Sequence, residues 1–163
     1  MAKPQMKYYD VIDSPFGPLT PVVDEAGALK MLHFGEISPP GAVRNASRLE
    51  PVLRQLGEYF AGERKAFDLE LSAEGTDFQQ RVWALLVDIP YGATRSYGDL
   101  AKELGAPGAS RAVGRANATN PIAIVVPCHR VIGSNGTLTG YAGGLSMKEK
   151  LLSFEQGLTP SLF

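Results

Sequence analysis

Apolar and polar residues follow two different rhythms along this chain. In the first part the rhythm is short. Tyr8–Ile12, Leu19–Val23 and Ala28–Phe34 are apolar-rich runs of strand length, separated by the turn-forming clusters Ser14-Pro15-Phe16-Gly17-Pro18 and Asp24-Glu25-Ala26-Gly27. They predict three antiparallel strands. Residues 37–45 hold Pro and Gly and read as loop. Ser47 is then placed to cap a helix in which Val52, Leu53, Leu56, Tyr59 and Phe60 recur three and four apart, ending at Gly62. Phe67, Leu69 and Leu71 alternate with Asp68 and Glu70, the pattern of an edge strand, and residues 72–75 read as a linker.

From Thr76 the rhythm becomes helical. Phe78, Val82, Leu85 and Leu86 share one face of a helix predicted over 77–88 and stopped by Pro90, with Trp83 expected at the domain junction. Ser96 and Asp99 form a capping box that opens a helix running through Leu104. Gly105-Ala106-Pro107-Gly108 interrupts it, and a second helix is predicted over 109–119. Two short helices around a Gly-containing turn are a helix-turn-helix candidate, a pattern that also arises by chance. The second helix carries small residues at Ala112, Gly114, Ala116 and Ala118, which admit close approach of either another helix or a nucleic-acid groove. Asn120-Pro121 ends it, and Ile122–Val126 is an apolar, β-like run.

Beyond Val131 come a tight turn at Gly133–Gly136 and the loop Gly140-Tyr141-Ala142-Gly143-Gly144, where a planar ligand can stack on the tyrosine. Ser146 and Glu149 form another capping box, before a helix with Met147, Leu151 and Phe154 inward, Glu155 flanking that face, and Gly157 at its end. The patterning thus predicts an α+β chain: residues 1–76 as a small N-terminal α/β domain, with an antiparallel sheet covered by a helix, and residues 77–163 as a mostly helical domain.

Composition narrows the class. The chain is 44% hydrophobic and 20% charged, ordinary for a globular protein, and no apolar run approaches the roughly 20 residues that span a bilayer. The N-terminus carries no signal-peptide pattern. A single cysteine forms no internal disulfide and fits a reducing compartment, so a cytoplasmic location is expected. With one Cys and two His, no structural zinc site is expected. The net charge of −1 excludes a generally basic nucleic-acid binder, but the charge is unevenly spread. Between Glu103 and Glu149 there is no acidic residue, while Arg111, Arg115, Arg130 and Lys148 lie inside that stretch. It can present an anion-facing surface, or be a neutral segment with solvated arginines.

The chemistry-bearing stretch is Pro127-Cys128-His129-Arg130-Val131. It sets the only cysteine beside one of the two histidines, at the end of an apolar run. A thiol next to an imidazole is a candidate nucleophile, although a lone cysteine is equally a small buried hydrophobe. A Cys–His hydrolase is disfavoured, because such pairs usually come from distant positions and no oxyanion loop is evident.

Ile124-Val125-Val126-Pro127-Cys128-His129-Arg130-Val131, with Asn120-Pro121 before it and Gly140-Tyr141-Ala142-Gly143-Gly144 after it, resembles the O6-alkylguanine-DNA alkyltransferases. Arg111-Ala112-Val113-Gly114 and Ser96-Tyr97 match the same family at the expected intervals. The resemblance is dense over 76–157 and loose before it. It implies a ribonuclease H-like N-terminal domain and a winged helix-turn-helix-like C-terminal domain. It also implies direct repair, in which a flipped O6-alkylguanine, or O4-alkylthymine, loses its alkyl group to Cys128 irreversibly and without a cofactor. His129 would take the thiol proton through a water, Glu155 would orient the imidazole, and Asn120 would hold the turn. Tyr97, Val131, Tyr141 and Ala142 would contact the base, the carbonyls of Cys128 and Val131 reading its exocyclic amine. Arg111 would fill the vacated stack from a helix in the minor groove, with Ala112, Gly114, Arg115 and Asn117 also facing DNA. The implied partner is double-stranded DNA bound by a monomer, with room for cooperativity. Ala123 departs from members with proline there and should open that edge of the pocket. The family also includes lesion-binding relatives that lack the cysteine, so a non-catalytic or regulatory helix-turn-helix protein is the alternative. Cys128 favours the active class.

Overall fold

The computed structural model describes residues 5–133 and 145–157. The chain divides into two compact units, Met1–Glu74 and Gly75–Phe163.

The first unit is a four-stranded sheet in the order β3-β2-β1-β4, with β1 Lys7–Tyr9, β2 Leu19–Asp24, β3 Leu29–Phe34 and β4 Ala42–Arg44. The β1–β2 and β2–β3 pairs are antiparallel as expected, but β4 runs parallel to β1, with Tyr8 opposite Val43. This corrects the loop expected over 37–45: three residues of it have the extended geometry to use the free edge of β1. The expected strand at 67–71 is reduced to a single bridge, Leu71 beside Leu29, with Leu29 N–H donating to the Glu70 carbonyl at 2.8 Å.

Helix α1, Glu50–Phe60, lays Val52, Leu56, Tyr59 and Phe60 into the core with Leu19, Val23, Leu29 and Leu32. Each such side chain contributes about 1.5–3 kcal/mol by leaving water. Ser47 is not its cap. A 3-10 turn at Ser47–Leu49 precedes the helix, the Ser47 hydroxyl donates to Asn45 Oδ1 at 2.9 Å, and Pro51 sits in the first helical turn, where its missing N–H costs nothing.

The second unit holds α2 Asp77–Val87, α3 Tyr97–Glu103, α4 Ser110–Ala118 and α5 Leu145–Gln156, with a two-stranded parallel pair of β5 Arg95–Ser96 and β6 Val131–Ile132. Two starts are fixed by reciprocal caps. Ser96 Oγ accepts from Asp99 N–H at 3.0 Å while the Asp99 carboxylate accepts from Ser96 N–H at 3.0 Å. Thr76 and Gln79 do the same for α2. Helix α5 includes Leu145, so it begins one residue ahead of Ser146, the position expected to open it. Trp83 is buried within this unit, where its indole N–H donates to the Ala116 carbonyl at 2.8 Å and fixes α2 against the last turn of α4. Among the described residues no helix is long and apolar enough to cross a membrane, and no group of three or more His, Cys, Asp or Glu could hold a metal ion.

Candidate active site

After α4 the chain leaves regular structure, and the side chain of Asn120 organises the next six residues. Its Oδ1 accepts from Ile122 N–H at 3.0 Å, and its Nδ2 donates to the Val126 carbonyl at 2.8 Å. The amide thereby replaces the partners that a strand would have offered. The β-like run expected at Ile122–Val126 is for this reason a coiled turn: Val126 N–H donates to the Ile122 carbonyl at 3.0 Å and Val125 N–H to the Ala123 carbonyl at 2.8 Å. The second bond closes a γ-turn on Ile124, whose φ is 72°. A β-branched residue there costs about 1–3 kcal/mol, held in place because residues 122–126 are all buried.

Pro127 delivers the chain into a 3-10 turn at Cys128–Arg130. Cys128 is 2% exposed and its N–H donates to the Val126 carbonyl at 2.8 Å. The Cys128 carbonyl accepts from Val131 N–H and, at 3.3 Å, from Asn117 Nδ2.

Beneath this turn lies a buried charge cluster. Arg130 grips both oxygens of Glu155, Nε to Oε1 at 2.7 Å and Nη2 to Oε2 at 2.8 Å, and donates to the Ile89 carbonyl at 2.6 Å. Burial alone would push the Glu155 carboxyl up, but the Arg130 hydrogen bonds, aided by His129, outweigh it and hold the carboxyl down at about 2. His129 is fully buried, with Nε2 2.8 Å from Glu155 Oε2. The other ring nitrogen, Nδ1, has no hydrogen-bond partner among the described residues. Burial depresses the imidazole below its ordinary value, opposed by Glu155 and reinforced by Arg130 and Lys148, so His129 rests neutral. With an ionised carboxylate facing Nε2, the single proton belongs there, leaving Nδ1 as an open acceptor.

Lys148 is a site residue that the patterning missed. It is 0% exposed, and Nζ donates to the Tyr97 hydroxyl at 3.4 Å. Burial lowers its ammonium to about 8, with the charge of Cys128 pulling the other way. Its signal was present: Lys148, Leu151, Leu152 and Glu155 fall at i, i+3, i+4 and i+7 on α5, so the buried stripe carries a charge at each end.

The acid-free stretch therefore splits. Arg111 and Arg115 are exposed one helical turn apart on α4, with Ala112 partly exposed, whereas Arg130 and Lys148 are buried. Asn117, expected among the DNA-facing residues, is 1% exposed and turned to Cys128, because it falls four positions after Val113, on the buried face that the helix forms with Val113 and Ala116. Gly114 directs its missing side chain at the Tyr97 ring, where a Cβ would sit 3.9 Å away. Val131 is buried in β6, opposite Arg95. Tyr141 and Ala142, with the loop Gly140–Gly144, lie outside the described residues.

Comparison with known proteins places this constellation. Residues 77–157 match the family model described as the 6-O-methylguanine DNA methyltransferase DNA binding domain, and residues 7–73 match the ribonuclease-like domain of the same enzymes. The methylated-DNA–protein-cysteine methyltransferase of Methanosarcina acetivorans is 54% identical over 91% of this chain and 97% of its own. That of Mycobacterium bovis is 51% identical over 96% of both. The crystal structure of Mycobacterium tuberculosis OGT in complex with DNA superposes with a TM-score of 0.88 at 51% identity, covering 95% of this chain and 96% of that one. The Pyrococcus kodakaraensis O6-methylguanine-DNA methyltransferase, at 24% identity and a TM-score of 0.62, shares the fold. The chain belongs to the methylated-DNA–protein-cysteine methyltransferase family, whose members repair DNA by moving an alkyl group onto one of their own cysteines.

Two expectations test the cluster. Arg130→Leu leaves Glu155 buried without its main partner and should cost about 3–5 kcal/mol, read from denaturant unfolding followed by Trp83 fluorescence. Because the folded carboxyl sits near 2 rather than 4.5, Glu155 contributes stability above about 4.5 that disappears as pH falls toward 2. The variant should lose less between pH 5 and 2 than the parent chain does. Lys148→Met should separate stability from reactivity. A folded lysine value below 10.5 means the ammonium opposes folding below about 8, an opposition relieved as pH rises from 8 to 10.5. At pH 7 the variant should therefore melt no lower than the parent, while Cys128, deprived of the cation on which its charge acts, should react more slowly with iodoacetamide. Equal thiol reactivity in the two chains would remove Lys148 from the site.

Proposed function

We propose that this chain reverses O6-alkylguanine damage in duplex DNA by a single irreversible transfer of the alkyl group to Cys128. The observation that carries the reading is a buried cysteine followed directly by a fully buried imidazole that faces the ionised Arg130–Glu155 pair, with the charge of Cys128 acting on the buried Lys148 ammonium.

In the proposed step the Cys128 thiol gives its proton to His129 Nδ1 through a water. The resulting imidazolium faces Glu155, which stays a carboxylate because Arg130 already occupies both oxygens. The thiolate, opposite Lys148, attacks the alkyl carbon. A sulfur–carbon bond forms, the carbon–O6 bond breaks with its electron pair going to guanine, and the base takes up one proton. Asn120 holds the turn. Tyr97, whose hydroxyl already accepts from Lys148, is poised to donate to the leaving base, while Val131, Tyr141 and Ala142 complete the pocket.

A stacked base hides O6, so the nucleotide must be extruded, at a cost of a few kcal/mol. Arg111, exposed in the first turn of α4, is assigned to the vacated stack, with Arg115 on neighbouring phosphates and Ala112 and Gly114 admitting the minor-groove wall. The structural relative solved with DNA supports this partner. We assign the reaction to the cytoplasm and to a monomer without a cofactor. A lesion binder that performs no transfer is the lesser reading, because the charged surroundings of Cys128 would then have no task.

Intact mass of the chain after incubation with a duplex containing one O6-methylguanine is the test. One methyl adduct mapping to Cys128 is expected, with no second turnover. Cys128→Ser should keep duplex binding and take no methyl. Unmodified parent protein at full lesion excess would refute the transfer.

A further inference from the structure

The Arg130–Glu155 pair is covered by the turn that follows α2. Ala93 N–H donates to the Pro90 carbonyl at 3.0 Å and Gly92 sits at φ 81°, so residues 90–93 form a tight turn with Tyr91 at its corner. The turn is seated on both sides. Ahead of it, the Ile89 carbonyl accepts from Arg130 Nη1 at 2.6 Å. Behind Tyr91, Gln156 Nε2 donates to the Gly92 carbonyl at 3.5 Å, and a Cβ on Gly92 would lie 3.5 Å from the Glu155 carbonyl. Between these supports the Tyr91 ring lies over the Arg130 guanidinium, with Cζ 5.7 Å from the ring centroid.

The edges of that guanidinium are already assigned. Nε and Nη2 hold Glu155 and Nη1 holds Ile89, so the flat face is what remains for Tyr91. An aromatic face suits this place, because it attracts the cation without competing for the hydrogens that orient the carboxylate. Burial pushes the Tyr91 phenol above its ordinary value, with Glu155 adding to the rise and Arg130 opposing it, so the ring stays uncharged beside the pair. Tyr91 is half-buried, whereas Arg130 and Glu155 are buried, which sets the ring between the guanidinium and solvent.

We infer that Tyr91 is a positioning residue for the transfer: its ring holds the Arg130 guanidinium flat and dry, so that Glu155 keeps its place and presents an unscreened negative charge to His129. This rests on the proposed alkyl transfer and adds to it a side chain that acts only through Arg130 and Glu155. The imidazolium formed when His129 takes the thiol proton is stabilised in inverse proportion to the local dielectric, so water admitted at Arg130 weakens that stabilisation. The role needs an aromatic ring and does not need its hydroxyl.

The experiment is single-turnover methyl transfer from an O6-methylguanine duplex to the full chain, read as a rate constant and an amplitude. Tyr91→Ala should keep the full amplitude and lower the rate constant roughly tenfold, since a small displacement of a supporting group is felt at the reacting atoms. Tyr91→Phe, which keeps the ring, should react within about twofold of the parent. In a His129→Phe background, Tyr91→Ala should change the rate by less than about twofold, because the route through Glu155 is already cut. A merely structural defect would lower the amplitude and leave the rate constant standing, which overturns the inference. Tyr91→Phe as slow as Tyr91→Ala overturns it too, as does equal slowing by Tyr91→Ala with and without His129. Tyr91→Leu is read the same way should the alanine variant fail to fold. A parent that takes no methyl overturns the alkyl-transfer reading instead.

Discussion

A carboxylate taken out of water must be compensated by geometry, and the second unit is arranged around one such compensation, the fork-on-fork pair of Arg130 and Glu155. The pair joins the turn that carries Cys128 to α5, and its third bond, to the Ile89 carbonyl, reaches the end of α2. Because Arg130 follows His129 directly, the charge that anchors the turn is also the charge that keeps Glu155 from accepting a proton. The imidazole thus faces a permanent anion. It is neutral at rest and stabilised once it becomes charged, the property a transient base requires.

The turn itself is held by amide side chains. Asn120 occupies the backbone groups of Ile122 and Val126, while Asn117 occupies one lone pair of Cys128. Between them Ile124 sits at a backbone angle that a β-branched residue would otherwise avoid. Packing overrides that local cost: residues 122–126 are all buried, so relaxing the γ-turn would expose several apolar side chains at once. The sulfur is thereby fixed in place by elements that take no part in the chemistry.

Much of this was legible in the chain. The capping box at Ser96 and Asp99 and the two short helices around the Gly-containing turn are local signals, and local signals survive folding. What failed depended on partners remote in sequence. The strand at Ala42–Arg44 exists because β1 leaves an edge free, and no periodicity within three residues announces that. Ile122–Val126 carries strand composition, but Asn120 diverts its hydrogen bonds. Arg130 and Lys148 read as solvated charges because charge alone does not reveal burial; only the i, i+3, i+4, i+7 stripe on α5 hinted that Lys148 faces inward. Asn117 was assigned to the outer face of a helix whose inner face it occupies.

The transfer chemistry stands on His129 taking the Cys128 proton while Glu155, held as a carboxylate by Arg130, faces the ring. The most direct measurement is the single-turnover rate of methyl transfer from an O6-methylguanine duplex to the parent chain and to His129→Phe. A loss of roughly a hundredfold or more in the variant is predicted; equal rates in the two chains would contradict it.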